Sequence, residues 1–188
     1  MINLAIFASG GGSNGEKIHD YFKNNRHIKV DCIVVNQPNA GIIKKAKDWN
    51  CAVILIEKQE FYSSNAISTQ LKERGVDFII LAGFLWLIPQ HLLNAFPQKI
   101  VNIHPALLPN YGGKGMYGMN VHKAVFEAKE KESGITIHTI DEEYDKGQIL
   151  FQKSVNIKNC SSPEEIAAKV LVVEHENYAR IIEEYINQ

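Results

Sequence analysis

What this chain has little of narrows its class first. It carries three cysteines, Cys32, Cys51 and Cys160, widely spaced and without a C-x-x-C pair, which argues against a disulfide framework or a zinc site. No block of like charge stands out. Twenty basic residues against 21 acidic ones leave a net charge of −1, and so balanced a chain suggests neither a nucleic-acid groove nor a membrane-binding patch. No apolar run approaches membrane-spanning length, and the first residues lack the basic stretch and apolar core of a signal peptide. Metal-ligand spacings such as H-E-x-x-H are absent, so no metal is called for. The expectation is a soluble, cytoplasmic monomer or homodimer whose partners are small molecules. No composition break interrupts the 188 residues, and 45% hydrophobic content fits one domain over 1–188 with a sizeable core.

The order of apolar runs predicts the fold class. Ile2 to Ala8 reads as a central strand, and further strands are expected over Lys29–Val35, Ala52–Ile56 and Phe78–Leu81. Helical segments fall between and after them, at Glu16–Lys23, Ala40–Trp49, Ser63–Arg74 and Gln90–Phe96, with Gly75 placed as a left-handed cap. Such alternation calls for a parallel sheet with right-handed crossovers and helices on both faces, a Rossmann-like three-layer α/β sandwich. Lys99-Ile100-Val101 leads a fifth strand into Asn102 and His104. A helix from about Asn120 to Lys129 follows, then strands at Gly134–Ile140 and Gln148–Ile157 that close the sheet as an antiparallel addition. The last helix opens with Ser162-Pro163-Glu164-Glu165, a capping serine, proline at the first helical position and glutamate three after the cap.

Three stretches carry candidate chemistry. Asn102 and His104 lie two apart on a strand and so point the same way, and Pro105 favours extended backbone at His104. An amide and an imidazole side by side at a strand's carboxyl end suit an open α/β sheet, where ligands gather at those ends; the plainer reading is a strand-ending Asn and a turn His. Ser9-Gly10-Gly11-Gly12-Ser13-Asn14 joins the first strand to the first helix. Its backbone N–H groups and the helix N-terminus suit a phosphate, although it is neither G-x-G-x-x-G nor a Walker A sequence and a tight turn explains it equally. Ala82 to Pro89 is too apolar for an ordinary connection, so it is either core or a wall for a flat heterocycle. Tyr111 to Gly118 holds four glycines and reads as a mobile surface loop.

Together, Ser9-Gly10-Gly11-Gly12-Ser13-Asn14, Leu81-Ala82-Gly83-Phe84, Asn102-Ile103-His104-Pro105-Ala106-Leu107-Leu108-Pro109 and Asp145-Lys146-Gly147 resemble the folate-dependent formyltransferase family, in its phosphoribosylglycinamide formyltransferase branch. The resemblance spans nearly the whole chain. It implies transfer of a formyl group from 10-formyltetrahydrofolate, the cosubstrate, to the amine of glycinamide ribonucleotide in purine biosynthesis. It implies Asn102, His104 and Asp145 as catalytic residues, although Asp141 lies in the same loop and spacing alone does not choose between the two carboxylates. It assigns Gly10, Gly11, Gly12, Ser13 and Asn14 to the substrate phosphate and Leu85, Trp86, Leu87 and Ile88 to the pterin. His138 matches a further histidine near the site, or is a hydrogen-bonded structural residue. Trp86 stands where relatives often carry a basic residue, the loop Tyr111–Asn120 is several residues longer than usual, and the chain stops soon after its final helix.

Three smaller expectations complete the reading. Glu174 falls in the apolar stripe of the last helix, either as a boundary charge reaching water or as a buried carboxylate with a partner. The resemblance pairs it, ahead of His175, with the glycinamide part of the ribonucleotide. His122 reads only as an exposed helix residue. Leu108-Pro109 is expected to be cis. The rivals are a formyltetrahydrofolate hydrolase, a methionyl-tRNA formyltransferase, expected to need a further domain and a basic surface, and a catalytically silent nucleotide or folate sensor.

Overall fold

A computed structural model describes residues 1–141 and 147–188. Its strands are β1 Ile2–Ala8, β2 Ile28–Val35, β3 Ala52–Leu55, β4 Phe78–Leu81, β5 Ile100–His104, β6 Glu132–Thr139 and β7 Ile149–Asn156. They follow the order β3-β2-β1-β4-β5-β6-β7 in one sheet. The helices are α1 Ser13–Phe22, α2 Ile42–Asp48, α3 Lys58–Ser63, α4 Ala66–Glu73, α5 Gln90–Ala95, α6 Met119–Glu127 and α7 Pro163–Ile186. The expected α/β class, a mostly parallel sheet with an antiparallel C-terminal part, is borne out. By contacts the chain divides into two compact units, Met1–Val101 and Asn102–Gln188.

In the first unit β1 pairs in parallel with β2 on one side and β4 on the other, and β2 pairs in parallel with β3. Leu4 through Ala8 are fully buried, which is why the strand reads as a continuous apolar run rather than as an alternation. The chain moves outward from β1 to β3 and returns to β4 on the other flank of β1. The carboxyl ends of β1 and β4 therefore form a switch point, the place where such sheets hold ligands.

One helix of this unit departs from expectation. Ser63–Arg74 was to be continuous, but α3 ends at Ser63 and α4 starts at Ala66. Ser64 is extended (φ −136°, ψ 163°), its hydroxyl accepts from the Ala66 N–H, and Ser63 donates to the Gln59 carbonyl. Such short polar side chains compete with the helix backbone and break it. Gly75 does adopt the left-handed cap (φ +70°).

In the second unit β6 and β7 pair antiparallel, and α7 buries Ile166, Val170, Val173, Glu174, Asn177, Tyr178, Ile181 and Ile182, a stripe with helical spacing. Its start is capped as expected. Ser162 Oγ accepts from the Glu165 N–H, and the Glu165 carboxylate accepts from Ser161 N–H and Oγ–H. Leu108-Pro109 is cis. No helix among the described residues is long and apolar enough to cross a membrane.

Candidate active site

In the first unit, the glycine loop leaves β1 at the switch point. Gly12 takes the left-handed conformation (φ +69°) that a residue with a side chain rarely adopts. It turns the chain into α1, which starts at Ser13, three residues before the expected Glu16. Ser13 and Asn14 thus lie in the first helical turn, where backbone N–H groups have no partner within the helix and the dipole is positive. On the other flank, the Ser9 N–H donates to the Gly83 carbonyl at 3.1 Å, and the Leu85 N–H donates to Ser9 Oγ at 3.0 Å. The glycine loop and the apolar segment after β4 are therefore tied to one another.

That apolar segment divides in two. Leu85 and Leu87 are 52% and 38% exposed, whereas Ile88 is only 5% exposed and belongs to the core. Trp86 packs in an aromatic cluster with Phe61, Tyr62 and Phe84 at centroid distances of 5.5, 6.2 and 6.1 Å. Phe84 in turn meets Phe7 edge-on at 5.2 Å. Leu85 and Leu87 supply the apolar surface here and Trp86 the rigid backing. A separate hollow of about 660 Å³, lined by residues such as Ser68, Lys72, Gln90, His91 and Asn94, contains none of the expected site residues.

In the second unit, Asn102 Nδ2 lies 3.1 Å from His138 Nε2, and His138 Nδ1 lies 2.9 Å from the Thr139 carbonyl oxygen. A carbonyl only accepts, so Nδ1 carries the proton and Nε2 is left with a lone pair. Asn102 must then donate to Nε2, which fixes which end of the amide faces the ring. His138 is fully buried, so the orientation is locked. One N–H of Asn102 is spent on His138; the amide still has its other N–H and its oxygen.

His104, 4% exposed, has Nε2 at 2.7 Å from the Tyr111 carbonyl. By the same argument Nε2 is the protonated nitrogen, and neutral His104 carries its lone pair on Nδ1. Tyr111 has positive φ (57°), and its hydroxyl donates to Glu130 Oε1 at 2.8 Å; burial, followed by that carboxylate, raises its pKa. The glycine-rich loop expected to be mobile is thus anchored at its first residue by both carbonyl and hydroxyl.

The turn after His104 is held by side chains from β6 and β7. Thr136 Oγ1 donates to the Ala106 carbonyl at 2.7 Å and accepts from the Leu108 N–H at 3.0 Å. Gln152 Nε2 donates to the Leu108 carbonyl at 2.8 Å and to Thr136 Oγ1 at 2.9 Å. Gly134 gives this turn room, because a Cβ there would meet the Lys153 carbonyl and Leu107. Tyr111, Thr136 and Gln152 were missed in the sequence, since Tyr111 acts through its own carbonyl and Thr136 and Gln152 act on backbone groups far along the chain.

His122 is a correction. It was expected on the exposed side of its helix, yet it is 6% exposed and its Nδ1 has no hydrogen-bond partner among the described residues. Burial, with the nearby charge of His104 second, lowers its pKa. Val121, His122 and Val125 form the buried face of α6, a stripe of which His122 is the one polar member. Glu174 is 8% exposed, which overturns its reading as a boundary charge in water. It lies near fully buried Tyr178, whose pKa is raised first by burial and then by that carboxylate. Asp145 lies outside the described residues, and Asp141 is the last residue described before them. Among the described residues no cluster of three or more His, Cys, Asp or Glu is placed to hold a metal ion.

Residues 2–182 match the model of the formyl transferase family. The chain is 44% identical over 185 residues to the chloroplastic phosphoribosylglycinamide formyltransferase of Arabidopsis thaliana, covering 95% of this chain and 63% of that protein. It thus spans less than two thirds of that relative. The Bacillus subtilis (strain 168) phosphoribosylglycinamide formyltransferase is 34% identical over 191 residues, covering 99% of this chain and 95% of the relative. Among solved structures, the crystal structure of phosphoribosylglycinamide formyltransferase from Bacillus halodurans superposes with a TM-score of 0.89 at 32% identity, covering 99% of this chain and 96% of that one. On the family match and on an identity that runs almost from end to end of the Bacillus subtilis protein, this chain belongs to the formyl transferase family.

Proposed function

We propose that the chain transfers the formyl group of 10-formyltetrahydrofolate to the amine of glycinamide ribonucleotide. The observation that carries this reading is the Asn102–His138–Thr139 series, an amide held in one orientation two residues before a buried histidine. Formyl transfer to an amine passes through a tetrahedral intermediate whose oxygen becomes negative; the attacking amine must lose a proton and the leaving nitrogen must gain one. Asn102 donates its remaining N–H to that oxygen. His104 moves the proton, its ring held in place by the contact of Nε2 with the Tyr111 carbonyl. Asp145 is the proposed carboxylate partner of His104, and His138 orients Asn102.

Gly10, Gly11, Gly12, Ser13 and Asn14 hold the ribonucleotide phosphate, which the position of this loop at the positive N-terminus of α1 supports. Leu85 and Leu87 face the pterin, backed by Trp86, with Ile88 anchoring their segment in the core. Glu174 takes the glycinamide part. The partners are small molecules, and the reaction needs no metal. The rival within the family is a formyltetrahydrofolate hydrolase, which gives the formyl group to water and has no use for a phosphate loop. An absorbance assay for the deformylated product of a 10-formylfolate analogue separates the two. Release that depends on glycinamide ribonucleotide supports the transferase, and release at the same rate without it supports the hydrolase.

A further inference from the structure

A glycine-rich loop has no side chains with which to hold its own shape, so something outside the loop must do it. On one side Gly10 and Gly11 face open space, with no atom within 4 Å of where a Cβ would stand. On the other side the loop meets Ile42, the first residue of α2 and fully buried. A Cβ at Gly12 would lie 2.5 Å from Ile42 Cβ and 2.6 Å from its Cγ1, and one at Gly15 would lie 2.7 Å from its Cδ1. The Ile42 N–H donates to the Gly10 carbonyl at 3.3 Å. A Cβ on the preceding Gly41 would come within 3.2 Å of Gly11 Cα. One residue thus grips the loop at Gly10 through its backbone and at Gly12 and Gly15 through its side chain.

We propose that Ile42 is a positioning residue for the anion loop, the wedge that keeps the Gly10–Gly15 backbone in the shape that receives the substrate's phosphate. This rests on the assignment of the loop to phosphate made above. Its β-branched side chain has little rotamer freedom, which suits a wedge. The Ser9 bonds to Gly83 and Leu85 hold only the start of the loop, and the other tethers on the α2 side are weak. Lys45 pairs with Glu16 across the two helices, but both side chains are part-exposed, and such pairs contribute little. Asn36, which follows β2 and begins the connection to α2, is buried with neither amide atom hydrogen-bonded among the described residues. Without the wedge the loop must be ordered by the ligand itself, and binding weakens by that ordering cost.

The test uses Ile42→Ala and Ile42→Val in the whole chain, with kcat, the KM of each substrate, melting temperature, and the affinity for inorganic phosphate by calorimetry. Alanine should raise KM for the ribonucleotide and Kd for phosphate by about tenfold, the equivalent of ordering one more loop residue. Valine keeps the γ carbon against Gly12 and loses the δ carbon against Gly15, so its rise should be smaller. kcat and the folate KM should stay unchanged in both. A lowered melting temperature with ribonucleotide KM and phosphate affinity unmoved would make Ile42 merely structural and overturn the proposal. Should alanine fail to fold, an unchanged ribonucleotide KM in folded Ile42→Val is equally decisive against it. Gly11→Ala, which adds a methyl on the open side, separates the two layers of argument. If it weakens phosphate binding while the Ile42 variants do not, only the wedge fails; if none of the three does, the phosphate assignment fails and the wedge with it.

Discussion

Replacing His138 by leucine isolates the orientation of Asn102 from the chemistry Asn102 performs. The contact removed is one neutral hydrogen bond, Nδ2–H to Nε2 at 3.1 Å, and a buried bond of this kind contributes about 0.5–1.5 kcal/mol net. At about 1.4 kcal/mol per tenfold in rate, an amide free to turn lowers kcat by roughly 2- to 12-fold. Asn102→Ala removes the oxyanion donor itself and should cost about 10²–10³ in kcat. Because His138 acts through Asn102, the double variant should be no slower than Asn102→Ala alone. The assay is steady-state formation of the deformylated folate, with thermal melts to confirm that each protein is folded, since His138 is fully buried. Losses that multiply in the double variant would refute the reasoning, because they would give His138 a role independent of the amide.

Three further outcomes follow from the same geometry. Thr136→Val removes the hydroxyl that satisfies the Ala106 carbonyl and the Leu108 N–H and should lower stability by about 1–3 kcal/mol in denaturant unfolding; an unchanged midpoint would mean that the turn after His104 does not need this anchor. The pKa of His122 lies below the ordinary value of 6.5, so its folded form stays neutral where the unfolded chain takes up a proton. Its contribution is complete above 6.5 and is lost as pH falls from there toward the lowered value. His122→Leu should therefore lose less stability than the parent between about pH 7 and pH 5, and parallel losses would contradict this. Glu174→Gln should weaken ribonucleotide binding while leaving folate binding nearly unchanged; calorimetry with each ligand checks the contrast, and equal ribonucleotide affinities would remove Glu174 from the site.

Much of this molecule is legible from residue order alone, for physical reasons that also mark where reading stops. β1 and β4 have the expected bounds because their buried stretches, Leu4 to Ala8 and Ile79 to Leu81, are apolar without a break, and the turn chemistry on either side punctuates them. α3 was missed because Lys58-Gln59-Glu60-Phe61-Tyr62-Ser63 has a single apolar face residue, Phe61, buried, too little for a period to show. Asn102 and His104 could be placed together by the two-residue repeat of a strand. That repeat does not reach their partners, because His138 comes from β6, where only the resemblance pointed to it, and Tyr111 contributes a carbonyl that any residue possesses. Glu174 and His122 show the same limit from the other side. A polar residue within an apolar stripe is buried or exposed according to what packs over it, and helical spacing alone does not say which.

The central claim is that the formyl group goes to an amine and not to water. It is tested most directly by incubating the chain with a formyl folate labelled at the formyl carbon, together with glycinamide ribonucleotide, and locating the label by mass spectrometry. The account predicts label on the ribonucleotide, in amounts matching the folate consumed and lost in Asn102→Ala and His104→Ala. Label recovered as free formate, at a rate indifferent to the ribonucleotide, would contradict it.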